Sequence, residues 1–425
     1  MDPLCIPGPS RMAPLAPGNP APGTIKMARW LRNFYDTATP SAMSFMNDRL
    51  AARMRIDLGA TTNALKRLNL LFAIGLQETQ AGRPDLALNA YEDMESGAQA
   101  IGFKLDEKTR RDLRMRKAMA LLRLGEQENC LLTRSADACI FPLRPRAFHQ
   151  LPRGSRGALA LLNEHLLEVP QDLSARWLLN IAHMTLGEYP DKVPAPLLIP
   201  PKQFASEYEM PRFTDVSAGV GLDLDDLAGG VILDDFDNDG LIDVMVSAWD
   251  FQGQLRYFHN NGDGTFTQRT SEAGLVGEVA ALNIQQTDYN NDGFLDVWLL
   301  RGGWLNGAGK VPKSLLRNNG DGTFTDVTEE AGLFSLHPTQ TSRWLDYDGD
   351  GWLDLFVGHE STDPRNPDWC ELYHNNRDGT FTECAKLCGI QVAAFVKGIA
   401  CADYDNDGRP DLYCTTTIIF PRDDD

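Results

Sequence analysis

Two rhythms of apolar residues divide the chain. Between residues 66 and about 195, large and small apolar side chains recur at helical spacing, as in Leu71-Phe-Ala-Ile74-Gly75, then Gly82, Ala87 and Tyr91. The spacing returns in Met115 to Gly125, Ala158 to Pro170 and Leu173 to Gly187. Residues three and four apart share a helix face, where small ones admit an antiparallel neighbour and large ones fill the seam. This predicts two to three irregular, tetratricopeptide-like helix pairs. From residue 211 the rhythm changes to short apolar runs: Val244-Met-Val246, Val297-Trp-Leu299, Leu355-Phe-Val357 and Leu412-Tyr-Cys414. Bounded by turn residues, such runs predict buried strands.

The polar stretch before each apolar run carries the candidate chemistry. The four copies are Asp235-Phe-Asp237-Asn-Asp239-Gly240-Leu-Ile-Asp243, Asp288-Tyr-Asn290-Asn-Asp292-Gly293-Phe-Leu-Asp296, Asp346-Tyr-Asp348-Gly-Asp350-Gly351-Trp-Leu-Asp354 and Asp403-Tyr-Asp405-Asn-Asp407-Gly408-Arg-Pro-Asp411. Oxygens at loop positions 1, 3, 5 and 9 can converge on one hard cation, with the carbonyl of position 7 completing the shell. The glycine at position 6 permits the sharp turn. One Asp-Asn-Asp-Gly is ordinary turn chemistry. Four copies that keep Asp at positions 1, 5 and 9 point instead to a bound ion, because unneutralised carboxylates at this spacing repel. Calcium is expected, up to four ions. An EF-hand is excluded, since position 12 is Val246, Leu299, Val357 or Cys414 rather than Glu. Asn290 removes one charge from the second loop, so charge count makes that loop the weakest. Pro410 removes an amide donor just before Asp411.

A second motif shares the period. It reads Asn260-Asn-Gly-Asp-Gly-Thr-Phe266, Asn318-Asn-Gly-Asp-Gly-Thr-Phe324 and Asn375-Asn-Arg-Asp-Gly-Thr-Phe381. A Gly-centred hairpin followed by a strand fits each copy. First residues of successive Asp loops lie 53, 58 and 57 positions apart, room for four strands, and repeats of that size suggest β-propeller blades. These residues resemble the FG-GAP/VCBS repeats of integrin α-chain propellers and of cartilage acidic protein-like and UnbV-type proteins. The resemblance covers residues 211 to 425 and implies that each Asp loop joins the first two strands of a blade and binds calcium. Counting strands from Phe213 predicts one outer strand over Phe213–Val216, three complete blades, and two strands of a fourth ending near Phe420. That count leaves the propeller incomplete, as in a fragment or truncated relative of a longer protein. The other reading is an open arc whose last edge is blunted by Arg422-Asp-Asp-Asp425.

Charge separates the same two regions. Residues 211–425 carry 37 acidic and 14 basic side chains, a net of −23, whereas residues 1–210 carry 22 acidic and 26 basic. Acidity concentrated at the loops argues against nucleic acid as a partner. The expected fold class is α + β multidomain, a helical-repeat domain followed by an incomplete propeller. The expected divisions are a disordered Pro-rich stretch over 1–25, helices over 26–195, a linker over 196–210 and blades over 211–425. The stretch 26–67 suits either a transit peptide or an amphipathic first helix with Trp30, Leu31 and Phe34 inward. No apolar signal core follows the first methionine, and no apolar run is long enough to span a membrane.

Eight cysteines and seven histidines add little chemistry. Cys130 and Cys139 either close a small disulfide loop or stand as buried thiols. Cys384 and Cys388 lack a partner pair at zinc spacing. His259 and His374 precede equivalent Asn-Asn turns, where the copy between them has Arg317, and read as structural positions of the repeat. No catalytic elbow, phosphate loop or metalloprotease motif is present. The expectation is a calcium-clipped, non-enzymatic interaction or adhesion-type module with a protein or glycan partner. The alternatives are an enzyme, hydrolase or lyase, acting on the propeller axis, or an intracellular tetratricopeptide scaffold. Calcium loops and the resemblance imply an extracytoplasmic or secreted place, while the absent signal peptide leaves the cytoplasm open.

Overall fold

The computed structural model describes residues 20–417 apart from 131, 134, 136, 138, 209, 210, 212 and 225. The eight α-helices among the described residues are α1 (Pro22–Thr37), α2 (Asn47–Ala60), α3 (Ala64–Gln80), α4 (Pro84–Ala100), α5 (Glu107–Asn129), α6 (Arg153–Glu168), α7 (Leu173–Thr185) and the single turn α8 (Ser217–Val220). Two compact units result, one of residues 44–216 and one joining the segment through Met43 to everything from Ser217 onward.

The first unit packs α2 to α7 as successive neighbours. Side-chain caps start three of its helices: Asn63 accepts from the Lys66 amide, Asp106 from that of Thr109, and Asp172 from that of Ala175. The small–large pairing expected from the sequence is present. A Cβ on Gly75 would lie 2.2 Å from the Tyr91 ring, so only glycine lets α3 and α4 approach over that tyrosine. Leu68, Ala87, Tyr91, Met94 and Leu113 form one core, and Ala118, Ala158, Leu162, Ala175 and Leu179 form the next. Cys130 and Cys139 are exposed rather than buried, and Cys139 is a free thiol. Cys5 lies outside the described residues.

The second unit contains β1 (Ala228–Asp234), β2 (Asp243–Ala248), β3 (Arg256–Asn260) and β4 (Phe266–Gln268), and then two further sets in the same order. These are β5 (Ala281–Thr287), β6 (Asp296–Arg301), β7 (Ser314–Asn318) and β8 (Phe324–Asp326), followed by β9 (Thr339–Leu345), β10 (Asp354–His359), β11 (Glu371–Asn375) and β12 (Phe381–Glu383). Each set is an antiparallel four-stranded sheet in sequence order. A last pair, β13 (Phe395–Ala402) and β14 (Asp411–Thr417), makes a two-stranded sheet. First strands of successive sheets pack on one another, β1 on β5, β5 on β9 and β9 on β13, so the described strands form an open arc of three blades and a partial one. Cores lie between blades: Phe236, Met245 and Tyr257 of the first meet Ile284, Leu299 and Phe324 of the second. Trp298 and Leu315 of the second likewise meet Leu355, Tyr373 and Phe381 of the third.

Three sequence expectations change here. Residues 22–25, expected in the disordered stretch, begin α1, because a proline at the first helical position loses no hydrogen bond. That helix packs on the blades rather than on the other helices. Thr24 Oγ1 accepts from the Asp326 amide at 3.1 Å, Leu31 is fully buried, and Trp30 and Phe34 meet Phe334 and Phe251. Finally, residues 213–216 form no strand and Phe213 is 94% exposed. A strand needs a neighbouring strand for its amides, and no sheet of the described residues includes this segment. The first nineteen residues and 418–425, including the charged tail, lie outside the described residues.

Candidate metal centres in the repeat loops

Every Asp loop connects the first two strands of its blade. The residue before the loop pairs with the ninth loop residue: Asp234 with Asp243, Thr287 with Asp296, Leu345 with Asp354, and Ala402 with Asp411. Within the loop, the first carboxylate gathers two backbone amides. Asp235 Oδ1 accepts from Asp239 N at 3.0 Å and Oδ2 from Gly240 N at 2.8 Å. Asp288, Asp346 and Asp403 repeat this pair of bonds. The fifth residue accepts from the amide of the seventh, as Asp239 does from Leu241, Asp292 from Phe294, Asp350 from Trp352 and Asp407 from Arg409. The chain turns this tightly because Gly240, Gly293, Gly351 and Gly408 hold φ between +85° and +87°.

The ninth residue reaches across the blade. Asp243 Oδ1 accepts from Asn260 N at 2.7 Å, and Oδ2 accepts from Phe236 N and from the Tyr257 hydroxyl. Asp296 accepts from the Asn318 and Tyr289 amides, and Asp354 from those of Asn375 and Tyr347. These three carboxyls are 0%, 0% and 1% exposed. Burial raises the pKa of each, that of Asp296 to about 8 with Asp292 and Asp288 adding to the rise. Asp411 differs, being exposed with Tyr404 N as donor to its Oδ2.

The structure brings together Asp235, Asp237 and Asp239 in the first loop and Asp346, Asp348 and Asp350 in the third, with one oxygen of each within 4.8 Å of the others. Asp237 Oδ1 is buried with no hydrogen-bond partner. In the second loop the Asn290 amide donates to Asp292 Oδ2 at 2.8 Å, offsetting part of its charge within the chain. In the fourth, Asp405 Oδ1 accepts from Asp407 N.

The Asn-Asn motif proves to be a lock between blades. Asn318 Nδ2 donates to Leu295 O of its own loop and to Phe236 O of the preceding loop, at 3.1 and 2.8 Å. Asn375 does the same to Leu353 O and Tyr289 O. Nothing in the motif's spacing pointed to that second bond.

Two histidines that read as structural positions stand over the loops. His259 Nδ1 lies 3.0 Å from Asp237 Oδ2 and 3.5 Å from Asp243 Oδ1. His374 Nδ1 lies 3.4 Å from both Asp348 Oδ2 and Asp354 Oδ1. Their position one residue before each Asn-Asn turn was the available signal, since it places them directly across from the ninth Asp. Arg377 adds an ion pair to Asp350 over the third loop.

A family model described as an FG-GAP-like repeat matches residues 235–299, 304–357 and 346–414. The chain carries FG-GAP-like repeats. Its similar proteins include cartilage acidic protein 1 of Homo sapiens, 24% identical over 189 residues, which are 41% of this chain and 28% of that protein. Cartilage acidic protein 1 of Mus musculus is 23% identical over 189 residues, covering 41% of this chain and 29% of that protein. The chain thus spans under a third of the curated relatives it matches. The FG-GAP-like matches begin at Asp235 and run through Cys414, so all four Asp loops and all three Asn-Asn hairpins fall inside them.

Proposed function

We propose that the four Asp loops bind calcium and that the FG-GAP-like blades form a non-enzymatic interaction module held in shape by it. The observation that carries this reading is the buried ninth carboxylate. Asp243, Asp296 and Asp354 are out of water, each held by backbone amides, and in the first and third loops the first, third and fifth carboxylates crowd the same turn. The orphaned Asp237 Oδ1 fits the same donor set. The carboxylate and carboxamide oxygens of the loops themselves favour a hard cation. Asp235, Asp237, Asp239 and Asp243 would hold one ion, and Asp288, Asn290, Asp292 and Asp296, Asp346, Asp348, Asp350 and Asp354, and Asp403, Asp405, Asp407 and Asp411 the others. Bound calcium supplies positive charge that offsets carboxylate repulsion and ties the first strand of a blade to the second.

Partners remain within the same reading. FG-GAP-like repeats support a protein-interaction role, and a glycan surface is the other candidate. Among the described residues no helix is long and apolar enough to cross a membrane. Extracellular calcium modules bind at about 10⁻⁴–10⁻³ M, and that range supports a calcium-rich, extracytoplasmic setting for loops of this kind. The test is a melting curve of the full chain in calcium and after chelation. Calcium should raise Tm because it binds the folded loops and not the unfolded chain. An unchanged Tm overturns the calcium reading.

A further inference from the structure

A different donor set lies at the end of the third blade remote from its Asp loop. His359 closes β10, Glu371 opens β11, and His337 lies just before β9. His359 Nε2 is 3.0 Å from Glu371 Oε2, and His337 Nε2 is 3.8 Å from Glu371 Oε1. The two imidazoles stack with centroids 4.5 Å apart. One ligand atom from each of the three residues lies within 4.8 Å of the other two.

Both rings are also held from behind. His337 Nδ1 meets Asp368 Oδ1 at 2.6 Å, and His359 Nδ1 meets Thr339 Oγ1 at 2.7 Å. A carboxylate or hydroxyl on the far nitrogen is how proteins fix the tautomer and orientation of a metal-ligating histidine. In the tautomer whose Nδ1–H donates to Asp368, His337 turns a bare Nε2 lone pair toward the Glu371 carboxylate. Thr339 Oγ1 lies 2.9 Å from His337 O, so its own proton has an acceptor when His359 Nδ1 is the donor. His359 Nε2 is then bare as well.

The second blade shows what this place requires. Arg301 closes β6 as His359 closes β10, and Ser314 opens β7 as Glu371 opens β11. There the guanidinium is a built-in cation, bonded to Glu278 Oε2 and to Ser314 Oγ, each at 2.7 Å. The third blade has two imidazoles instead. Lys313 donates to Ser335 O and Oγ rather than to any of the three candidate ligands, and Lys310 reaches Asp368 at 3.4 Å. Ser335 Oγ in turn donates to Glu371 Oε2.

We propose that His337, His359 and Glu371 bind one divalent transition-metal ion of the zinc class, separate from the hard-cation loops. Two imidazole nitrogens and one carboxylate match a three-ligand zinc site, with the fourth position left to water. His337 is the most exposed of the three, at 29% of its side chain against 14% for Glu371, and opens the site to solvent. The ion would join the approach to β9, the end of β10 and the start of β11 at one point.

The full chain, dialysed against zinc chloride in calcium-saturated buffer, tests this. Wild type should retain one zinc, and cobalt(II) in its place should give visible absorption bands. Asp368→Asn should weaken zinc by about 10–100-fold, the range for a residue that orients a ligand. His337→Ala, at a partly exposed position, should lose it altogether, with the calcium-induced Tm shift confirming that the blades still fold. Failure of wild type to retain zinc, or equal retention by His337→Ala, overturns the site and leaves a hydrogen-bonded cluster only.

Discussion

Asp296 concentrates the electrostatics of the loops in one carboxyl. Fully buried, it is pushed up to about 8, chiefly by burial. The unfolded carboxyl ionises near 4, so without metal the folded state holds a proton that the unfolded chain has lost. The sign follows: this contribution is complete below about pH 4 and fades as pH rises toward 8. In chelator, the full chain should therefore melt higher at pH 5.5 than at pH 8 through this group, and Asp296→Asn should flatten that slope in thermal scans. With calcium present, the same substitution should reduce the calcium-induced rise in Tm, because a charged ligand is gone. Asn318 makes a second residue-scale case. Its amide satisfies two carbonyls in adjacent loops from a position 1% exposed. Asn318→Ala leaves both carbonyls unpaired, at a cost of about 1–3 kcal/mol in denaturant unfolding. A smaller loss would mean that water replaces the amide.

Among the elements, α1 owes its place on the blades to a single missing side chain. A Cβ at Gly23 would stand 1.9 Å from Asp326 O on β8, so any other residue must lift the helix from the blade. Gly23→Ala should abolish amide-exchange protection across α1 while β5 to β7 stay protected, and unchanged protection would refute the docking. What the sequence made legible was local. Short apolar strand runs, glycine-centred turns and loop carboxylates are set by residues a few positions apart, so all four Asp loops and the four strands per blade could be read directly. The allegiance of α1 could not. Trp30, Leu31 and Phe34 mark an apolar face, but nothing in that face says whether it meets helices or Phe251 and Phe334 more than 200 residues away. His259 and His374 were hidden for a related reason, since facing Asp243 and Asp354 requires knowing the pairing of the second strand with the third. The strand expected at 213–216 failed because its pattern repeats that of β8 without the neighbour that gives β8 its ladder.

For the whole molecule, calcium should act unequally along the arc. Charge count alone makes the second loop weakest, through Asn290. Burial ranks the loops differently. In the first two loops the second residue plugs the core of the next blade, with Phe236 against Phe324 and Tyr289 against Phe381. Their ninth carboxyls, like that of the third loop, are buried. The fourth loop has none of this support: Tyr404 is 88% exposed, Asp411 is exposed, and β14 is covered by no further strand among the described residues. An ion there would meet water-screened carboxylates on an exposed pair of strands, where attraction is several-fold weaker than in a buried turn. If sites bind at about 10⁻⁴–10⁻³ M, then about 1 mM calcium stabilises each by roughly 0.4–1.4 kcal/mol. Three supported loops would together contribute about 1–4 kcal/mol. Asp235→Ala or Asp346→Ala should each remove roughly a third of the calcium-induced stabilisation of the full chain, whereas Asp403→Ala should leave it nearly intact. Denaturant unfolding with and without calcium reads this directly. Equal losses from all three substitutions would show that loop charge, and not burial behind the ninth residue, sets where calcium holds the blades.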